Sequence, residues 1–509
     1  MLSIARSRLT LLVQFVFLVV NAFGILTGVI YNSKTPDLYP NNAHHKLGWI
    51  VTWVVSAQAL MGLLHIYAGR STKHSVAEDE RAAFIPVSTE AMAEHQRSNG
   101  RQSFHDYRYS RDSGQGTERA SSFGSSSPAE EHEDLQLPEI HPRYSLAIAG
   151  EDDIEEEKRG FLRNTAIDSF LSRKVPGLLS TRLWRILGFV YDVIDRIIIP
   201  FGFITLTAGI VTFAGIFRGV NVFNGLAHFI KGGIFFGYGI LTLGRWMGCF
   251  ADFGWAWNIK PSQAIVGHRK AAIPSAEFVE SFVIFLYGTT NVFLEHLANW
   301  GGEWVPQDLE HVSISIMFFG GGLCGMLVES KKIRGLLNTS ISFVAPQGSA
   351  SRESPEYWRY PKSYGFSLNP LPALIIFCLG IMMGSHHQAS MVSTMIHKQW
   401  GLLFAGFALA RIITYSLMYL SPPTSLLPSR PPTEIIASFC LMAGGLVFMA
   451  SNRDTVAAME GYELDAMFIL VVTIGLTAFL MAWQILVVAI KGLAVRREHG
   501  DTLTMHTEA

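Results

Sequence analysis

Residues 282–328 read FVIFLYGTTNVFLEHLANWGGEWVPQDLEHVSISIMFFGGGLCGMLV. Two apolar runs flank a short loop of Gly, Trp, Pro and acidic residues, and the tripeptide Leu-Glu-His occurs on both sides of it, at 294–296 and 309–311. Each run approaches the ~20 apolar residues that cross a bilayer core. The stretch therefore reads as a transmembrane helical hairpin with a Glu-His pair on either side of its mouth. The same test applied outward finds ten windows, near 9–30, 47–69, 197–217, 222–245, 278–299, 309–329, 368–386, 396–419, 433–452 and 465–490. In lipid, each segment must satisfy its own backbone hydrogen bonds. The predicted fold is all-α: a polytopic transmembrane bundle of about ten helices, with the lipid bilayer as its first partner.

The chain has 509 residues, 49% hydrophobic and 16% charged, with a net charge of −1. That balance gives no electrostatic reason to expect a nucleic-acid partner. Cys249, Cys324, Cys378 and Cys440 lie in or beside the apolar windows without zinc-motif spacing, and read as small packing residues.

Lys and Arg concentrate in alternate connections. Arg6 and Arg8 precede the first window; Arg70 and Lys73 follow the second, Arg245 and Lys260 the fourth, Lys331 and Lys332 the sixth, and Arg496 and Arg497 the last. By the positive-inside rule these connections are cytosolic, and an even helix count puts both termini there. The run after Arg8 is long for a signal peptide and reads as a spanning helix.

Composition divides the chain further. Residues 1–70 form an N-terminal helical hairpin. Residues 71–151 are rich in Ser, Gly and charge, and read as a disordered cytosolic loop. Residues 152–196, ending in LWRILGFVYDVIDR, read as an amphipathic juxtamembrane segment. Residues 197–492 hold the other eight windows, and 493–509 form a cytosolic tail. Gly233/Gly237, Gly321/Gly325 and Gly380/Gly384 have the four-residue spacing that lets helices approach closely in lipid.

In this topology, the histidines near the window ends gather on one face, the non-cytosolic one: His44, His45, His228, His296, His311, His386, His387 and His397. His65 falls on the other. Imidazole and carboxylate are the usual ligands of zinc, iron and copper, converging from several helices. The expected metal ligands are His296, His311, His386, His387 and His397 with Glu295 and Glu310; Met391 and Met395 would favour copper. The competing reading is interfacial capping, and adjacent Glu and His point to different helix faces. No catalytic residue can be assigned from these patterns. Arg411, Lys231, Asn291 and Gln484 lie inside windows, where ionisable groups usually meet a partner or a cavity. Glu329 or Glu434 is the expected partner of Arg411, and Lys231 is expected to snorkel outward.

Three stretches carry a family resemblance: GILTGVIYNSKTPDLYPNNAHHKLGWI, the Leu-Glu-His hairpin, and HHQASMVSTMIHKQWG. They resemble the fungal YTP-one-like integral membrane proteins across most of the chain. The resemblance implies a plasma-membrane or endomembrane location and supplies no reaction. It also implies an upstream signal and one further helix, so that the chain from Met1 is expected to be short. A second resemblance is narrower. His44-x-x-x-Gly48, Gln58 and Gly62 are similar to a ligand helix of the ascorbate-reducible transmembrane cytochromes b, which implies haem b held at His44 or His45. Ile198 stands where a further haem ligand would be expected. Three function classes follow: redox chemistry at haem or copper; hydrolysis at zinc, with Glu295 or Glu310 as base; and a transporter or scaffold. A small molecule or metal ion would be the substrate.

Overall fold

In a computed structural model of the chain, residues 2–4, 7, 9–83, 181–291, 302–342, 361–385 and 388–499 are described. They are helices and connecting loops, with no strand among them. The helices are α1 (Leu9–Lys34), α2 (Ala43–Ala83), α3 (Thr181–Ala214), α4 (Asn221–Met247), α5 (Gln263–Ala271), α6 (Ala276–Asn291), α7 (Pro306–Glu329), α8 (Lys331–Leu337), α9 (Thr339–Ser342), α10 (Leu371–Gly384), α11 (Met391–Leu420), α12 (Pro432–Ala450), α13 (Arg453–Gly461) and α14 (Ala466–His499). Two compact units emerge: Met1–Val55 with Asp192–Ala509, and Ser56–Tyr191. The described part of the second unit is the later part of α2 and the first turns of α3.

Nine spans among the described residues are long and apolar enough to cross a membrane. They match nine of the ten expected windows. The tenth, 368–386, is the 14-residue helix α10. At ~1.5 Å per residue it covers about 21 Å, short of the ~30 Å hydrocarbon core. Pro370 and Pro372 hold its start, since proline lacks the N–H that an interior helical turn requires. The fifth span, Gln263–Asn291, is built from α5 and α6 with a break before Ala276.

The stretch 183–196 is not a separate helix. It runs without a break into the membrane segment as part of the 34-residue α3, with Pro200 inside. The earlier part of the expected juxtamembrane segment and the whole loop 84–180 lie outside the described residues.

Local chemistry sets the helix ends. Asn42 caps α2 by accepting the His45 backbone N–H at 2.7 Å. Pro306 opens α7, where Asp308 accepts the Val305 N–H at 3.2 Å. Gly248 closes α4 in the left-handed region at φ 96°, a conformation that suits a residue without Cβ.

Within the larger unit, α12 packs against α4 and α11, α6 against α7, and α10 against α11. Small residues allow these approaches. A Cβ on Gly232 would lie 2.5 Å from the Gly445 carbonyl, and one on Gly380 would lie 2.6 Å from the Gly401 carbonyl. The buried core contains Trp400, Phe404, Phe407, Leu441 and Val447. Leu409, Val471 and Phe479 stay exposed, as expected of a lipid-facing side. The N-terminal helices are joined by fewer contacts. Asn21 donates to Thr52 Oγ1 at 2.9 Å between α1 and α2, and the Tyr39 phenol donates to the Ile216 carbonyl.

Candidate functional site

The antiparallel course of the helices brings two chemically different ends together. At one, α4 ends near Arg245, α6 begins with Glu277 and Glu280, α11 carries Arg411 and Tyr415, and α12 begins with Glu434. Arg245 Nη1 meets Glu280 Oε1 at 2.6 Å, and its Nη2 meets Glu277 Oε1 at 2.8 Å. Its Nε donates to the Trp255 carbonyl at 2.7 Å, and the guanidinium lies 4.3 Å from the Trp257 ring centroid. Arg411 Nη1 stands 3.4 Å from Glu280 Oε2, from Tyr238 Oη and from Tyr415 Oη. Tyr415 donates to Glu277 Oε1 at 3.1 Å. Arg411 Nε lies 2.8 Å from Glu434 Oε1, an ion pair by distance that lacks hydrogen-bond alignment. All five charged residues are buried: Arg245 and Arg411 are 1% exposed and Glu434 is 0% exposed.

The expected pairing of Arg411 with Glu434 is present. Glu329 instead accepts hydrogen bonds from Ser275 and Ser367, each at 2.7 Å. Arg245 reads from the sequence as a loop charge, yet it sits in the last turn of α4 at the centre of the network. The signal for it was Glu277-x-x-Glu280, an acidic pair on one helix face inside an apolar run.

The opposite end carries the histidines. His228 on α4 and His397 on α11 lie with ring centroids 6.2 Å apart in an edge arrangement. Each ring Nδ1 lies 2.8 Å from a carbonyl of its own helix, that of Asn224 and that of Ser393 respectively. His397 also packs on Trp400, with centroids 5.6 Å apart. His311 on α7 faces the same space. From α6, Asn291 donates to Ser315 Oγ at 2.8 Å, and Ser315 donates to the His311 carbonyl at 3.0 Å.

Between the two ends runs a chamber of about 1030 Å³, lined by residues of α4, α6, α7, α10, α11, α12 and α13. On α4 its lining extends from Asn224 to Leu241, roughly 25 Å of helix. Its walls are apolar, with Ile234, Phe235, Ile284, Phe318 and Leu379 among them. His228, Lys231, His311 and His397 line one end; Glu280 and Tyr238 line the other. Lys231 lines the chamber beside His228, its Nζ 6.0 Å from the Tyr287 ring centroid.

The expected metal ligands divide. His311 and His397 come together at the chamber, joined by His228, which the sequence places on the same face without naming it a ligand. Glu310 is exposed while its neighbour His311 turns inward, as the helical repeat requires. Met391 and Met395 are 74% and 52% exposed and outside the chamber lining, which removes the thioether support for copper. His296, Glu295, His386 and His387 lie outside the described residues. Among the described residues no group of three His, Cys, Asp or Glu side chains is placed to hold a metal ion.

The haem expectation meets a similar limit. The His44 ring packs on α3, where a Cβ on Gly209 would lie 2.9 Å from ring carbon Cε1, and its Nδ1 is buried without a hydrogen-bond partner. His45 is exposed. Among the described residues, no ring contact or hydrogen bond joins His44 to another histidine. One imidazole pressed against a helix backbone does not fit a bis-histidine haem.

Nine apolar spans of crossing length among the described residues define a multi-pass α-helical membrane protein. The chain belongs to the YTP1-like family: residues 201–492 match the family described as "Protein YTP1-like, C-terminal". Residues 1–68 match a domain of unknown function, DUF2427, so the cytochrome-like resemblance of this part gains no support from family matching. "Uncharacterized membrane protein C3B8.06" of Schizosaccharomyces pombe is 36% identical over 502 residues, covering 97% of this chain and 90% of that protein. "Uncharacterized membrane protein YCR061W" of Saccharomyces cerevisiae is 39% identical over 61% of this chain and 49% of its own length. "Protein YTP1" of the same yeast is 23% identical over 56% of this chain and 50% of its own length. The chain thus aligns with about half the length of the two Saccharomyces proteins. No solved structure matches.

Proposed function

We propose that the chamber is a ligand site for an amphipathic, lipid-like molecule with an anionic head, which the protein holds or moves within the bilayer. The observation that carries this reading is the chamber itself. Its volume of about 1030 Å³ reaches the upper end of the 300–1,000 Å³ typical of small-molecule sites. Apolar walls suit a hydrocarbon body, and Lys231, with Arg453 nearby in the lining, suits a negative head. With the positive-inside orientation, the head would face the non-cytosolic side.

The test uses the full chain purified in detergent. Gly237 lines the chamber, and a Cβ placed there meets nothing within 4 Å, so a large side chain has room to enter. Native mass spectrometry of the wild type is expected to show a retained lipid-like adduct that Gly237→Trp loses at unchanged thermal stability. Equal adducts in both proteins would overturn the reading.

A second reading, a transition-metal or redox centre, draws on one observation. His228 and His397 each engage Nδ1 with a carbonyl of the same helix and line the chamber, an Nδ1 arrangement common among metal-ligating histidines. It predicts stoichiometric zinc, copper or iron by elemental analysis, lost in His397→Ala; metal-free protein from two hosts would contradict it. A haem at His44 would add a reduced-minus-oxidised absorbance band. The hydrolytic variant draws least support, because Glu310 is exposed beside an inward His311.

A further inference from the structure

Among the described residues, the buried charges at the arginine end do not balance. Glu277, Glu280 and Glu434 supply three carboxylates, while Arg245 and Arg411 supply two guanidiniums. The remaining neighbours are neutral: Tyr238 on α4, Tyr415 on α11, and the Trp255 carbonyl. Among the described residues, α7 and α10 do not correct the difference. From α7, Glu329 is held by Ser275 and Ser367, and α10 carries only Cys378 as a titratable side chain. An uncompensated charge within a bilayer is costly. The imbalance is removed if the three carboxylates share one proton.

The geometry selects where that proton enters. Glu277 is occupied by Arg245 and the Tyr415 hydroxyl. Glu434 is fully buried and absent from the chamber lining, and neither of its oxygens has an aligned hydrogen-bond partner. Glu280 is the carboxylate contacted by both arginines, at 2.6 and 3.4 Å, and of the three it alone lines the chamber. We propose that Glu280 is an exchangeable proton-binding site, through which the buried cluster takes up and releases one proton to the chamber. The step is a proton transfer only: an O–H bond forms at the Glu280 carboxyl as one breaks on a hydronium ion entering the chamber from solution, which leaves neutral water; release is the reverse. Protonation loosens the contact between Glu280 and Arg411, which links the charge state of the cluster to the packing of α6 on α11. The inference rests on charge and placement, and holds whatever occupies the chamber.

The experiment is infrared difference spectroscopy of the full chain in lipid, stepped in pH in H₂O and in D₂O. The wild type is expected to show one protonated-carboxyl stretch from a buried group, shifted in D₂O and titrating with pH. Glu280→Gln is expected to lack it while keeping its thermal midpoint, since the substitution removes the surplus charge. Glu280→Asp, which keeps the carboxyl, is expected to retain a band at a displaced frequency. A wild type without the band, or a Glu280→Gln protein that keeps it, overturns the proposal. So does a band unmoved by Glu280→Asp.

Discussion

The two ends of the chamber solve the problem of polar groups in a membrane differently. At the arginine end, both guanidiniums are almost fully buried, and Arg245 bonds two carboxylates at 2.6 and 2.8 Å. At the histidine end, His228 and His397 are held by carbonyls of their own helices, while exposed Arg453 and Glu460 line the chamber nearby. The first is a closed network whose members specify one another across α4, α6, α11 and α12. The second is a set of side chains positioned by single helices and turned toward a shared space. A closed network reads as architecture with one adjustable member, and the open end as a place for a ligand.

The sharpest way to break this comparison is to remove one arginine. Arg411→Gln or Arg245→Gln leaves buried carboxylates without a partner, a loss on the order of 3–5 kcal/mol in buried pairs. A large fall in thermal midpoint in detergent is expected. A fall no larger than that of an exposed control such as Lys398→Gln would show that the network is not structural.

The next effect separates packing from cavity on a single helix. Gly232→Leu forces a side chain against the Gly445 carbonyl and is expected to destabilise by about 1–3 kcal/mol or more. Gly237→Leu meets open space and should change the midpoint little. Comparable losses from both would mean that the chamber wall at Gly237 is packed.

At the histidine end the effects should be smaller. His397→Ala removes a ring packed on Trp400 and its carbonyl hydrogen bond, a loss of about 1–2 kcal/mol. His45→Ala and Glu310→Gln alter exposed side chains and should stay within about 0.5 kcal/mol. A chemical denaturation series on the wild type and these three variants would sharpen the distinction between chamber histidines and interfacial ones.

Much of this architecture is legible in the sequence because lipid imposes so strict a rule. Apolar runs of spanning length locate the nine spans found among the described residues. Parity of crossing brings His228, His311 and His397 to one end and pairs Arg411 with Glu434. What the sequence conceals is lateral. Nothing in a single chain says that α4 lies against α12, so the close approach uses Gly232 and Gly445 where Gly233 and Gly237 suggested one. Arg245 looks like a loop charge because it ends an apolar run, and only the turn at Gly248 folds the chain back over it. The stretch 183–196 looks amphipathic because Asp192, Asp195 and Arg196 interrupt it, yet it continues as helix through Pro200. Met391 and Met395 share the histidine end with His397, and rotation about the helix turns them outward.

The most direct measurement is a cryo-electron microscopy map of the full chain in lipid nanodiscs. The account predicts an elongated density along Phe235, Ile284 and Phe318, with its head beside His228, Lys231 and His397. A chamber collapsed by contact of α6 with α4, or holding only water, would contradict it.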